Sequence, residues 1–305
     1  MNKMLKHRLT ELNLDVDDLL EVIDPPKNSN VFVYISAMEG LGTWESDFDV
    51  YVLCEALPAM LNKPGMDEFN RGSHMQRMCS IDQNALGIKN KMSYLTIDIE
   101  FWPYEQIDKM LTSVLSNKTA NISHIKMLQR IKVGQEIFNS RSHPIVSRIM
   151  NSDFSTCSVN TLALFGDADL HDAVTLYNSG EYYGAHLSVC SATNKIVAAV
   201  NANNGHINLN AEKWSAKIFI QNNGFGDADL LERYLTFQFF NRLSKESIKE
   251  VCRERIVFVQ DIISKVLHKQ GRPHWINQEN YDIMDYKKSE YVIAKGKSAN
   301  LLQKF

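Results

Sequence analysis

Between Val31 and Glu55 the chain reads V-F-V-Y-I-S-A-M-E-G-L-G-T-W-E-S-D-F-D-V-Y-V-L-C-E. Two runs of β-branched and aromatic residues flank a glycine-bearing turn, and runs of that kind bury themselves as paired strands. Asp47 and Asp49 stand where the second run opens. Residues i and i+2 of a strand share a face, so both carboxylates are expected to lean the same way out of an apolar strand. Two carboxylates held that close repel each other unless a cation sits with them. A hard divalent ion such as Mg2+ suits carboxylate and phosphate oxygens.

The rest of the pattern divides the chain. Residues 3 to 23 carry apolar positions at helical spacing, with a break expected near Asn13 and a stop at Pro25-Pro26. Residues 56 to 85 are read as helix plus loop. Within them Arg71-Gly72-Ser73-His74-Met75 looks like an expression-tag remnant, but it is internal and is read as native sequence. Ser93 to Trp102 reads as a further strand closed by Pro103, followed by a helix from Tyr104 to about Leu115. From 122 to 270 the pattern is almost entirely helical, and Ser247 with Glu250 resembles a capping box. The boundary is placed at Ser116-Asn117-Lys118-Thr119, giving domains 1–117 and 118–305, the second ending in a weakly patterned basic tail.

Other D-x-D occurrences have a plainer reading. Asp15/Asp17 sits at a helix start or kink. The hexapeptide F-G-D-A-D-L occurs twice, at Phe165–Leu170 and Phe225–Leu230. Both copies are read as helix starts, where aspartate caps free N–H groups and complements the dipole. The pair at Asp47/Asp49 has better companions. Ser36 ends the first strand and offers a hydroxyl to a phosphate. Gly40 and Gly42 let the backbone approach a ligand closely. Asp98 stands between two isoleucines on the later strand, where a charge needs compensation, and Glu100 shares its face. Three carboxylates beside a phosphate cradle suit two-metal phosphoryl chemistry.

A serine, ten intervening residues, a D-h-D-h strand (h, apolar) and a later h-D-h strand together resemble the DNA polymerase β-like nucleotidyltransferase superfamily. The branch most similar holds kanamycin nucleotidyltransferase and the minimal nucleotidyltransferases. The motif residues run from Val31 to Trp102. The resemblance implies Asp47 and Asp49 as ligands of two Mg2+ ions (or Mn2+), Asp98 as the third ligand and acceptor-activating carboxylate, and Ser36 as a triphosphate contact. The family usually has glycine before that serine; this chain has Ile35. In the second half, Gly205–Trp214 is similar to a segment of some relatives, which makes Lys213 a nucleotide-binding candidate and Trp214 a companion. Trp44 could stack on a base, and Arg71 and Arg77 could reach phosphates.

Several classes are excluded by what is missing. There is no G-x-x-x-x-G-K-[ST], no H-E-x-x-H, no G-x-S-x-G and no C-x-x-C. The five scattered cysteines fit a reducing cytoplasm, and no apolar run approaches the ~20 residues a membrane helix needs. A net charge of −3 favours a small-molecule acceptor over long nucleic acid, although nucleic acid stays open as a second acceptor class.

The expected fold is α+β: a small mixed sheet with flanking helices, then a helical-bundle domain. The expected activity is transfer of a nucleoside monophosphate from a nucleoside triphosphate such as ATP to a hydroxyl. The alternatives are a catalytically weak, antitoxin-like binding module and an enzyme that modifies protein or RNA. The resemblance also leaves room for a homodimer.

Overall fold

The computed structural model describes residues 1–42, 46–60, 66–82, 94–117, 119–140, 142–238, 245–267, 281–282 and 293–294. Contacts group them into two compact units, Met1–Ser116 with Ser123–Asp153, and Asn117–Ile122 with Phe154–Phe305. The class is α+β, as the sequence pattern implied.

The first unit is built on a six-stranded mixed sheet. Its strands are β1 (Ser29–Tyr34), β2 (Phe48–Cys54), β3 (Met66–Asn70), β4 (Met75–Asp82), β5 (Tyr94–Pro103) and β6 (Gln135–Asn139), in the order β3-β4-β5-β2-β1-β6. β2 and β5 run parallel, and the other pairs are antiparallel. The helices of this unit are α1 (Lys3–Glu11), α2 (Val16–Ile23), α3 (Tyr104–Ser116), α4 (Ile122–Val133) and α5 (Pro144–Asn151).

Alternation along the strands sorts their side chains. Val31, Val33, Val50, Val52, Ile97, Ile99 and Phe101 share one face, where they form a buried core with Leu5, Leu9, Leu19 and Ile23 of α1 and α2. The break at Asn13 is real, with a left-handed backbone (φ 51°). Asp15 and Asp18 close a capping box at the start of α2, so this D-x-D does cap a helix.

Two parts of this unit depart from the sequence reading. Residues 66–82 form the β3–β4 hairpin rather than a helix, and the tag-like Arg71–His74 is its turn, closed by the Arg71 N–H donating to the His74 carbonyl at 2.9 Å. Residues 135–139, expected to be helical, form edge strand β6, which pairs with β1 and carries 123–153 into the first unit beyond the boundary placed at 117.

The second unit is mainly helical, with α6 (Ser155–Asn178), α7 (Tyr182–Asn203), α8 (Ala211–Gln221), α9 (Ala228–Gln238) and α10 (Lys245–Ile262), and the short strands Tyr281–Asp282 and Ile293–Ala294 pair antiparallel. The two F-G-D-A-D-L copies part company here. At the second, Asp227 Oδ1 accepts the Leu230 N–H at 2.9 Å and starts α9, as expected. The first lies in the middle of α6 instead. A Cβ on Gly166 would stand 2.7 Å from Ile196 Cδ1, so glycine is what lets α6 approach α7. Gly166→Val is expected to lower stability by about 1–3 kcal/mol through overpacking, measured by urea denaturation.

Among the described residues, no helix is long and apolar enough to cross a membrane.

Candidate functional site

The face of the sheet opposite α1 and α2 carries the acids. In the parallel register Asp49 stands opposite Asp98, and Tyr51 opposite Glu100. Positions 49 and 51 alternate with the apolar Val50 and Val52, so one strand supplies both a core face and a polar face. β1 adds Tyr34, whose partner across the strand is Asp49, and β4 adds Gln76, the partner of Glu100.

Two cations of α4, Lys126 and Arg130, reach this face. Arg130 Nη1 donates to Asp49 Oδ1 at 2.8 Å and to the Tyr51 hydroxyl at 3.1 Å. Its guanidinium lies 4.9 Å from the centre of the Tyr34 ring, close enough for cation–π attraction. Asp98 Oδ1 accepts from Gln76 Nε2 at 3.0 Å, and Glu100 Oε2 accepts from Trp102 Nε1 at 2.8 Å.

Burial pushes the Asp49 carboxyl above its ordinary range, against the pull of Arg130, and Asp98 adds to the rise. Burial raises Glu100 too, opposed by the Trp102 N–H. For Lys126, burial and then the neighbouring Arg130 push the pKa down, while Asp49, Glu100 and Asp98 pull it back up. Five charged groups thus feel one another across a partly dehydrated surface.

At the other end of the face, Ser36 opens a single 3-10 turn, Ser36–Glu39, which Gly40 ends in a left-handed conformation (φ 69°). Ser36 Oγ lies 2.9 Å from Ser46 Oγ. A Cβ on Gly42 would fall 2.1 Å from Ser36 Oγ, so this loop closes on the serine only with glycine at 42. Ile35 is extended (φ −131°, ψ 141°), a conformation open to any residue, and its side chain belongs to the α1/α2 core.

The other expected residues fall as follows. Asp47 precedes β2 and is exposed. Trp44 lies outside the described residues. Lys213 and Trp214 are on α8 in the second unit, with the exposed ammonium 4.7 Å from its neighbour's ring centre. Arg71 lies over Phe69. Arg77 is no phosphate ligand, because it is fully buried on the apolar face, bound to Glu68 at 2.8 Å and to the Ile23 carbonyl at 2.7 Å.

Arg130, Lys126, Tyr34 and Tyr51 escaped the sequence reading. Lys126 and Arg130 are four apart on one helix face, a signal present in the sequence, but the strand that they meet lies some 80 positions away.

The donors on this face are oxygens, the kind a hard divalent ion takes. Asp49 and Asp98 fit such an ion as neighbours on adjacent strands. Among the described residues, however, no three His, Cys, Asp or Glu side chains gather closely enough to hold a metal, so Asp47 does not complete a triad with them.

No family model and no curated protein matches the sequence. Among solved structures, the chain is similar to a nucleotidyltransferase-like protein from Exiguobacterium sibiricum 255-15, at 12% identity over 83% of this chain and 78% of that one, with a TM-score of 0.41. No residue correspondence follows at that distance.

Proposed function

We propose that the chain transfers a nucleoside monophosphate from a nucleoside triphosphate to a hydroxyl of a small molecule, with Mg2+ held by Asp49 and Asp98. The observation that carries this reading is the register of the two parallel strands, which seats Asp49 beside Asp98. Two adjacent carboxylates on a half-buried face are costly without a cation to join them, and arrangements of that kind cluster at functional sites. The metal would supply charge neutralisation at the phosphates and a lower pKa for the attacking hydroxyl.

The protein groups have separate tasks. Gln76 holds Asp98 Oδ1, leaving Oδ2 to take the acceptor's proton. The acceptor oxygen then bonds to the α-phosphorus, and the bond to pyrophosphate breaks. Ser36, on the loop fixed by Gly42, is the polyphosphate contact.

One observation favours a second reading, that of a binding module without turnover. Arg130 already neutralises Asp49, as a structural pair would. An α-labelled nucleoside triphosphate incubated with the protein, Mg2+ and pooled small hydroxyl compounds separates the two. Label on a small molecule that disappears with Asp49→Asn supports transfer. Tight triphosphate binding with no released pyrophosphate supports the binding module.

A further inference from the structure

A cavity of about 360 Å3 opens on the same face as the acids. Tyr51 and Glu100, each two residues beyond the aspartate of its strand, belong to its wall. Two strand residues span roughly 7 Å, so the cavity adjoins Asp49 and Asp98. It lies on the side away from Ser36, whose turn follows Tyr34, the residue opposite Asp49 in the register. In a displacement at the α-phosphorus the acceptor enters opposite the leaving pyrophosphate. A triphosphate on the Ser36 loop therefore leaves this cavity to the acceptor.

Cations outnumber acids in the lining. Lys126 and Arg130 project into it from α4, with His124 between the helix start and Lys126, and Glu100 is the carboxylate among the lining residues. Arg130 is bound to Asp49. Lys126 is half-buried, and its attraction to Asp49, Glu100 and Asp98 acts without a hydrogen bond or ion pair to any of them among the described residues. An ammonium held in a partly dry cavity without a contacting counter-ion is a costly arrangement in the free protein, and an anion on the ligand relieves it. Another part of the lining is aromatic, formed by Trp102 stacked on His74 at 4.0 Å and 10°. The volume is that of a small-molecule site rather than a polymer groove.

We propose that the acceptor is a small hydroxyl compound bearing an anionic group, phosphate or carboxylate, and that this group binds Lys126. The proposal rests on the nucleotidyl-transfer reading for the word acceptor and on the cavity alone for the anion. An amine-rich acceptor would meet the Lys126 ammonium as a like charge.

The test uses the full chain in two arms. In the first, calorimetry measures binding of glycerol 3-phosphate, glycerate, glycerol and the amino sugar glucosamine. Tighter binding of either charged probe than of glycerol, weakened at least tenfold by Lys126→Met and restored by Lys126→Arg, supports the site, and which probe leads separates phosphate from carboxylate. Equal binding of all four probes, or a Lys126→Met protein that binds the anions unchanged, overturns it. In the second arm the four compounds are offered with α-labelled triphosphate and Mg2+. Label on glycerol or glucosamine in preference to the anions overturns the proposal while leaving nucleotidyl transfer standing. Anion binding at Lys126 without label transfer to any compound upholds the anion site and counts against the transfer reading.

Discussion

Arg77→Ala is expected to destabilise the first unit by about 3–5 kcal/mol, the usual consequence of removing one member of a buried ion pair. The side chains of Arg77 and Glu68 are 1% and 2% exposed and meet at 2.8 Å. They sit on the apolar face of the sheet, in line with Ile99 across the β4–β5 register. Arg77 also donates to the Ile23 carbonyl at the end of α2 and lies 4.8 Å from the Phe101 ring centre. The substitution therefore leaves a carboxylate buried without its cation, uncaps a helix end and opens a cavity. Thermal or urea denaturation reads the effect. The double variant Arg77→Met with Glu68→Met should regain most of the loss, because replacing both charges by apolar groups removes the desolvation penalty. A single-variant loss under 1 kcal/mol would mean that the pair does not hold the hairpin to α2.

Asp49→Asn should do the reverse, changing chemistry and sparing the fold. Its side chain and that of Arg130 are 27% and 20% exposed. Burial already works against the Asp49 charge, and the isosteric amide oxygen can still accept from Arg130, so the loss is expected to cost no more than about 1–2 kcal/mol. Transfer activity should fall on the order of 10^3-fold or more, since the amide removes both a cation ligand and the charge facing the phosphates. Denaturation and label transfer measured on one preparation decide the matter. A variant that loses several kcal/mol and no activity makes the Asp49–Arg130 pair structural. Asp98→Asn is expected to follow Asp49→Asn in activity, with the Gln76 contact to the side-chain oxygen kept.

Much of the first unit could be read from local pattern, because β1, β2, β5, α1, α2 and α3 obey the periodicity of their class. The β3–β4 hairpin could not, because Glu68 and Arg77 occupy core-facing positions that an alternating apolar pattern should fill. Their mutual neutralisation replaces hydrophobicity as the reason the strands bury. β6 was hidden for another cause: Q-E-I-F-N is a short polar edge strand whose β character comes from pairing with β1 more than a hundred positions earlier. The twin hexapeptides make the same point within one chain, since identical residues start a helix at 225–230 and run through the middle of one at 165–170.

In the candidate site, Asp49, Asp98 and the Ser36–Gly42 stretch stand out locally in the sequence, each by its own strand or turn. The adjacency of Asp49 and Asp98 depended on strand order, and Arg130 and Lys126 on how α4 packs. No periodicity encodes either.

A crystal structure grown with Mn2+ and a non-hydrolysable nucleoside triphosphate tests the proposed centre most directly. Nucleotidyl transfer at this face predicts an anomalous Mn2+ peak bound by Asp49 and Asp98, the polyphosphate on the Ser36 loop, and Arg130 released from Asp49. A peak elsewhere or none, with Arg130 still on Asp49 while the nucleotide is bound, would contradict it.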